Sequence, residues 1–385
     1  MHLLVFEPRL GGHHLSWLKY VAEDLLAGGH AVSLAIDNRQ SETIAAHLAS
    51  LWSAVRTVDV YDRRGKFRDG SKIGALNLCL RESGADEVFL NNFDEIASNC
   101  LRRAAVGFLP PPALHGRLNG VYFRPRFLAG IYFPPGNWLK HYGFYKLCRS
   151  SWLKRIFLLD ETLIAAAEKR YPNTAFHLLP DPWDGDFSGN RQGARQTLQI
   201  PDDKFVLLNY GIGDRRKGLY LVIQALLTDL PSSKDVFLLC AGKVAEDKDI
   251  LQGLQKLEQL GKARVLNRYV SDQEETLCFS ATDAVLLPYY GHFGSSGVLS
   301  RAAAAGRIII ASDEGLVGYR VGKHQLGTLF QSGSVPHLQE AIAAAAALTP
   351  KEKEQYRHRL LNYASTCDRQ AFRQALLLPF SRGER

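Results

Sequence analysis

The sequence predicts an α/β protein made of two doubly wound, Rossmann-like domains facing a central cleft. Two observations support this fold class. Short, continuous apolar runs are typical of buried parallel strands, and glycine turns lead from these runs into helices with apolar residues at helical spacing. This arrangement occurs at the start of the chain and again beyond residue 180, and a length of 385 residues is enough for two such domains.

The first array begins with an apolar strand at residues 3–6, and a helical pattern follows over residues 15–26. The Gly28-Gly29 pair stops that helix, and residues 31–36 predict the next strand. Two later apolar runs are interpreted as strands of the same sheet. They are residues 88–90 and 156–159.

The second array begins with a strand at 205–209, a glycine-rich basic loop and a helix at 219–227. Further strands are predicted at residues 236–240, 265–266, 284–287 and 308–310. A proline-rich join, residues 180–184, separates the arrays. We therefore predict one Rossmann-like domain at 1–180, a second at 181–350 and a charged, helical tail at 351–385.

Cysteine usage and hydropathy indicate the compartment. Six cysteines are scattered without a CxxC pair, which favours a reducing, cytoplasmic environment over a disulfide framework or a zinc site. We see no signal peptide, and no apolar run reaches the roughly 18 residues needed to cross a bilayer. The sequence thus predicts a soluble protein.

Two loops of the second array carry the predicted chemistry. Residues 211–218 place Gly213, Arg215, Arg216 and Lys217 between a strand and a helix, where backbone N–H groups and cations suit a phosphate. The alternative interpretation is a solvated basic loop. Residues 291–299 follow the strand at 284–287 and lead into the next helix.

In this second loop, Ser295 or Ser296 is a candidate N-cap, and together with Gly297 and His292 the serines are candidates for binding an oxyanion. The alternative is capping and turning alone. In the first array, Gly11, Gly12, His13 and His14 lie between strand and helix, and we expect them to contact a substrate.

These motifs resemble the retaining glycosyltransferases of family 4, of the "glycosyl transferases group 1" type, which have the GT-B fold. The resemblance rests on Gly11-Gly12-His13, the segment 216–218 with its helix, Leu287-Pro288, the segment 298–306 and the segment 310–312. It implies that the loop of Lys217 holds a donor diphosphate and that the first glycine loop lies under diphosphate and acceptor. It also implies an acceptor-binding domain at 1–180 and a nucleotide-sugar-binding domain at 181–350, with the tail helix packing back onto the N-terminal domain.

The sequence departs from this family at three positions. Ile212 stands where the family has an arginine before the lysine, and Phe293 and Arg301 stand where it has a pair of glutamates. The second glutamate of the family holds the donor's ribose, and an arginine cannot accept a hydrogen bond. Donor identity and catalytic competence are therefore open at this point.

The resemblance predicts transfer of a hexosyl group from a UDP- or GDP-sugar to a glycan or lipid-linked acceptor, as in polysaccharide biosynthesis. His13 is the candidate for contact with the reacting sugar, and Arg301, His14 and His292 are assigned to the cleft. We see no Asp-x-Asp placed to hold a metal and predict neither a metal nor a cofactor. The alternatives are a catalytically inactive GT-B-like partner or regulatory protein and a sugar-nucleotide epimerase.

A stretch without acidic residues covers residues 96–159 and contains ten Arg or Lys residues among many aromatics. Arg124, Arg126, Trp138 and Lys140 are candidates for an acceptor site or for peripheral contact with an anionic membrane, on its inner face. The alternative is an aromatic core segment with solvated cations. Nucleic-acid binding is not predicted, because no recognised binding motif accompanies the charge.

Overall fold

The structure is a computed structural model, and it describes residues 1–9, 11, 13–187, 189–228 and 235–381, without the side chain of His13. The chain divides into two compact units. The first contains residues 1–180 and 372–385, and the second contains residues 181–371. The chain returns to the first unit at residue 372, whereas the predicted tail begins at residue 351.

The first unit is built on a seven-stranded parallel sheet with the order β3-β2-β1-β4-β5-β6-β7. Its strands are β1 (His2–Phe6), β2 (Ala31–Ile36), β3 (Arg56–Asp59), β4 (Glu87–Leu90), β5 (Leu118–Tyr122), β6 (Leu153–Leu158) and β7 (Ala175–Leu178). The strand order reverses between β1 and β4. In open α/β sheets, ligands bind beyond the carboxyl ends of the strands at such a reversal.

Helices connect the strands of the first unit. They are α1 (His13–Ala27), α2 (Ser41–His47), α3 (Lys72–Ser83), α4 (Asp94–Ala105), α5 (Gly136–Arg149) and α6 (Ile164–Arg170). Helices α4 and α5 approach closely at Gly143, where a Cβ atom would lie 1.7 Å from the carbonyl oxygen of Leu101. A side chain at position 143 is therefore incompatible with this packing.

The second unit has a six-stranded parallel sheet with the order β10-β9-β8-β11-β12-β13. Its strands are β8 (Phe205–Tyr210), β9 (Val236–Ala241), β10 (Ala263–Leu266), β11 (Ala284–Leu287), β12 (Ile308–Ser312) and β13 (Gly327–Phe330). The order reverses between β8 and β11. These are the two strands that precede the basic loop and the serine-containing loop.

Helices cover this sheet as well. They are α7 (Arg191–Leu198), α8 (Leu219–Leu227), α9 (Lys248–Gln259), α10 (Asp272–Ala281), α11 (Gly297–Ala304), α12 (Gly315–His324), α13 (Val335–Ala347) and α14 (Pro350–Ala364). One more helix, α15 (Arg369–Ser381), follows them in the chain. Core clusters lie on both faces of the sheet. Each unit is thus a doubly wound α/β domain, as predicted.

The last helix, α15, packs against the first unit from Phe372 onward. The ring of Phe372 is buried, and its centroid lies 5.3 Å from that of Trp17. Arg373 Nε donates to the buried carboxylate of Asp24 at 2.7 Å. Helix α14, which the sequence assigned to the tail, belongs to the second unit. Among the described residues, no helix is long and apolar enough to cross a membrane.

Asp94, at the start of α4, gives the first unit a pH-dependent stability. Burial raises the pKa of its carboxyl group to about 6, although Phe123 N donates to Asp94 Oδ2 at 2.9 Å. Between about pH 4 and 6 the folded state therefore keeps a proton that the unfolded state has lost. We expect the contribution of Asp94 to the free energy of unfolding to decrease as the pH rises through this window.

The substitution Asp94→Asn tests this expectation, because the amide cannot titrate and still offers an oxygen to Phe123 N. Urea unfolding of both proteins between pH 4 and 7 gives the difference in stability at each pH. We expect the variant to gain stability relative to the wild type as the pH rises from 4 to 6. A difference that is constant with pH would contradict the assignment.

Candidate functional site

The basic loop (residues 211–218) and the serine-glycine loop (residues 288–297) lie side by side in the second unit. The backbone N–H of Tyr290 donates to the carbonyl oxygen of Arg216 at 2.9 Å. Gly218 has a φ of +75°, and a Cβ atom there would lie 1.9 Å from the carbonyl oxygen of Pro288. The close approach of the two loops therefore requires glycine at position 218.

Arg216 and Lys217 are directed toward the serine-glycine loop. Arg216 Nη1 lies 2.6 Å from His292 Nδ1, and Lys217 Nζ lies 5.6 Å from the ring centroid of Tyr289. A guanidinium group only donates, so Nδ1 accepts and the histidine proton is assigned to Nε2, which donates to Ser295 O at 3.3 Å. Within the described residues, Lys217 forms no salt bridge, and its charge is left for a ligand.

Arg215 is directed elsewhere. Its guanidinium donates to Asp247 Oδ2 at 2.5 Å and also pairs with Asp249, at the start of α9. Hydrogen bonds to the two carboxylates raise the pKa of Arg215 above its usual value. The sequence predicted that all three consecutive cations could bind a phosphate. In the structure, Arg216 and Lys217 point toward the serine-glycine loop and Arg215 does not.

The hydroxyl groups of the serine-glycine loop are already hydrogen-bonded. Ser295 Oγ donates to Asp181 Oδ2 at 2.9 Å, and Ser296 Oγ lies 3.0 Å from Tyr289 Oη. Ser296 occupies the N-cap position of α11, but its side chain makes no capping hydrogen bond. Ser296 is therefore the N-cap residue, as predicted, but its hydroxyl is bonded to Tyr289 and makes no hydrogen bond to the first turn.

The first turn of α11 consequently presents unpaired backbone donors. Among the described residues, no acceptor is bonded to the N–H groups of Gly297 and Val298. Such groups, together with the positive end of the helix dipole, favour an anion. Lys217 and Arg216 approach the loop that leads into this turn, so cations and backbone donors are available at the carboxyl ends of β8 and β11.

Arg301, which replaces a family glutamate, forms a partly buried ion pair. Arg301 Nε lies 2.9 Å from Glu275 Oε1, and Arg301 Nη1 donates to Gly297 O at 3.1 Å. The other oxygen of Glu275 accepts from Tyr210 Oη at 2.5 Å. A carboxylate is thus present beside α11, but it is contributed by α10.

In the first unit, Glu7 and Asn91 follow β1 and β4, the strands at the reversal of the sheet. Glu7 is fully buried, and its Oε2 lies 3.0 Å from His14 Nδ1 and accepts from Asn91 Nδ2 at 2.8 Å. The hydrogen bond with Glu7 raises the pKa of His14. Gly11 is exposed, whereas Gly12 and the side chain of His13 lie outside the described residues.

The acid-free stretch divides into buried and exposed parts. Trp152 is buried, and Lys154 and Arg155 both pair with Glu87. By contrast, Arg124, Arg126 and Trp138 are exposed and Lys140 is half-buried. Part of the stretch is therefore core, as the alternative interpretation held, and part is surface.

No group of three or more His, Cys, Asp or Glu side chains that could hold a metal ion occurs in the described portion of the chain. The six cysteines are free and buried. Burial raises the pKa of each thiol, to about 12 for Cys240. None of them is placed as a nucleophile.

Residues 190–365 match the family model described as "Glycosyl transferases group 1". The matched segment covers most of the second unit and less than half of the chain. The resemblance inferred from the sequence is confirmed, and the matched segment contains the basic loop, the serine-glycine loop and Arg301. No curated protein matches the chain significantly in sequence.

Solved structures match the chain over its whole length. Anabaena HepE in complex with UDP has a TM-score of 0.70 and 17% identity and covers 99% of both chains. WaaG, a glycosyltransferase involved in lipopolysaccharide biosynthesis, has a TM-score of 0.66 and 18% identity and covers 100% of both chains. Sucrose-phosphate synthase from Thermosynechococcus elongatus has a TM-score of 0.69 and 14% identity, covering 99% of this chain and 98% of its own. The chain has the GT-B fold.

Three residues of the second unit that surround the loops were not singled out from the sequence. Asp181 was interpreted as part of the join, yet its carboxylate binds Ser295, and burial raises its pKa. Glu275 and Tyr210 contact each other although they are 65 residues apart. No local pattern marks such a pair. Glu7, by contrast, is the first polar residue after a buried strand and could have been found.

Proposed function

We propose that this protein is a glycosyltransferase that moves a hexosyl group from a nucleotide sugar to a glycan or lipid-linked acceptor, with retention of anomeric configuration. The observation that carries the proposal is the contact between the basic loop and the serine-glycine loop at the sheet reversal of the second unit. Because of this contact, Arg216 and Lys217 lie beside the loop that leads to the free N–H groups of α11. That combination suits a diphosphate.

The chemistry follows from these groups. In the transfer, the bond between the sugar's anomeric carbon and the diphosphate oxygen breaks, an acceptor oxygen bonds to that carbon, and the proton of the acceptor hydroxyl passes to the departing diphosphate or to water. Negative charge accumulates on the departing nucleoside diphosphate. Fixed cations and backbone N–H groups that face this charge lower the barrier, because they are already oriented before the reaction.

We infer UDP-sugars as the first donors to test, since HepE structures carry UDP, UDP with glucose, and UDP-glucose. GDP-sugars are the second choice. Metal independence and a cytoplasmic location, predicted from the sequence, are part of the same proposal. In the first unit, the position of His14 beside Glu7 supports contact with the acceptor or the reacting sugar, the role proposed also for His13.

The test is a panel of UDP- and GDP-sugars incubated with the full-length protein, with release of the nucleoside diphosphate as the readout. We expect release from one donor class, unaffected by a chelator and increased by a suitable glycan or lipid-linked acceptor. An isomeric nucleotide sugar formed without acceptor would indicate an epimerase instead.

Nucleotide binding without any turnover across the panel would favour the catalytically inactive partner. Arg301 in place of a glutamate is the observation that keeps this second candidate open. Failure of every nucleotide to bind, measured by a shift in melting temperature, would contradict the proposed donor site itself.

A further inference from the structure

An aromatic surface projects from the first unit around the start of α5. Six large hydrophobic side chains within twelve residues are exposed there, and they are Ile131, Tyr132, Phe133, Trp138, Leu139 and Tyr142. The ring of Phe133 is 82% exposed and that of Trp138 is 59% exposed. Scattered exposed hydrophobics are ordinary, but a contiguous group of this kind marks an interaction site.

Specific contacts hold this surface in place. Asn137 is buried, and its Nδ2 donates to Phe133 O at 3.1 Å and to Ile131 O at 3.4 Å. Trp138 and Tyr142, one helical turn apart, stack with ring centroids 6.2 Å apart and an interplanar angle of 13°. The fold therefore presents these rings to solvent instead of packing them inside.

Three cations gather beside the aromatic surface. The guanidinium of Arg102 lies against Gly136, with a terminal nitrogen 2.6 Å from where a Cβ atom would stand. Burial, Arg102 and Arg126 lower the pKa of Lys140, while Asp94 acts in the opposite sense. Among the described residues, none of these three cations forms a salt bridge. Like charges in this proximity repel one another unless an anion joins them.

Asp94 acts on Lys140, but the stretch of chain that forms this surface contributes no acidic residue. Residues 96–159 contain no Asp or Glu. On α4, Arg102 and Arg103 line a cavity of about 390 Å³ together with Ser98 and Asn99. An anionic partner would therefore meet cations and polar hydrogen-bond donors on α4, beside apolar rings on α5.

We propose that this surface docks the protein onto a bilayer rich in anionic phospholipid. Aromatic side chains favour the interface between headgroups and acyl chains, and basic side chains are attracted to the negative surface of such a bilayer. The combination of exposed rings and unpaired cations fits that partner better than a soluble anion, which would leave the rings exposed. This inference stands on the surface alone and goes beyond the proposed transfer reaction.

The experiment is co-sedimentation of the full-length protein with vesicles of phosphatidylcholine, with and without phosphatidylglycerol. We expect binding to the mixed vesicles, at least about tenfold weaker binding to the neutral ones, and a loss of binding as salt is raised. Glycerol phosphate serves as the soluble competitor. We expect it to compete no better than sodium chloride at equal ionic strength.

Two sets of variants assign the binding to the surface. Phe133→Ser with Trp138→Ser removes the exposed rings, and Tyr269→Ser in the second unit, which is 84% exposed, is the matched control. Arg102→Gln, Arg126→Gln and Lys140→Gln remove three charges. The control for net charge removes three other exposed cations, Arg63, Arg64 and Lys66, in the same way.

We expect each surface variant to bind mixed vesicles at least about tenfold more weakly and each control to bind within about twofold of the wild type. Unchanged melting temperature and UDP binding would show that the variants fold and that the donor site is intact. Equal binding to neutral and mixed vesicles, equal losses in the controls, or selective competition by glycerol phosphate would overturn the proposal.

Discussion

Lys217→Ala is expected to reduce kcat/KM for the nucleotide-sugar donor by about 10²–10³-fold, the cost of losing one group that stabilises a developing negative charge. Lys217 forms no salt bridge in the described residues and lies over the ring of Tyr289, toward the serine-glycine loop. Its removal leaves no carboxylate unpaired, so the melting temperature should change little. Rates of nucleoside diphosphate release over a range of donor concentrations measure the effect.

Arg215→Ala is the matched control within the same loop. Its guanidinium is bound to Asp247 and Asp249 and is half exposed, so its loss removes a surface ion-pair network. Each solvent-exposed ion pair contributes only about 0–1 kcal/mol to stability. We expect the rate to stay within about threefold of the wild type. Equal losses for both variants would show that position in the loop, and not the direction of the side chain, decides the effect.

Gly218→Ala is expected to destabilise the second unit by about 3 kcal/mol or more and to abolish donor binding. Two costs combine. An alanine at a φ of +75° costs about 1–2 kcal/mol, and the new methyl group would lie 1.9 Å from the carbonyl oxygen of Pro288, which forces the loops apart. Denaturant unfolding and nucleotide titration measure the two effects.

Gly261→Ala separates these costs. Gly261 also has a positive φ, +65°, but a Cβ atom there would meet nothing within 4 Å. We expect this variant to lose about 1–2 kcal/mol, for backbone strain alone, and to bind nucleotide normally. If the two variants behaved alike, the contact of Gly218 with Pro288 would have no special role in holding the loops together.

The arrays of strands were largely predictable because long apolar runs identify central parallel strands. β2 and β11 have the predicted bounds, and α8 does as well. Four short strands were not predicted, namely β3, β5, β7 and β13. β3, β7 and β13 are short and incompletely buried, and β5 contains Asn119 and Gly120, so none shows the continuous apolar run used as the criterion.

The positions of the two loops of the site could be predicted from the sequence, but the ion pairs that its side chains form could not. Glycines between strand and helix located both loops, since this position is where parallel sheets bind ligands. The sequence could not separate Arg215 from Arg216 and Lys217, because the difference depends on Asp247 and Asp249 in another loop. The partner of Arg301, Glu275, lies on a different helix, and only the folded chain brings the two together.

The central claim is that Lys217 and the start of α11 bind the diphosphate of a nucleotide sugar. Calorimetric titration of UDP and of uridine into wild-type protein and into Lys217→Ala tests it most directly. We predict that the wild type prefers UDP and that the variant loses at least about tenfold of this preference, while its affinity for uridine is unchanged. The same ratio of UDP to uridine affinity in both proteins would contradict the claim.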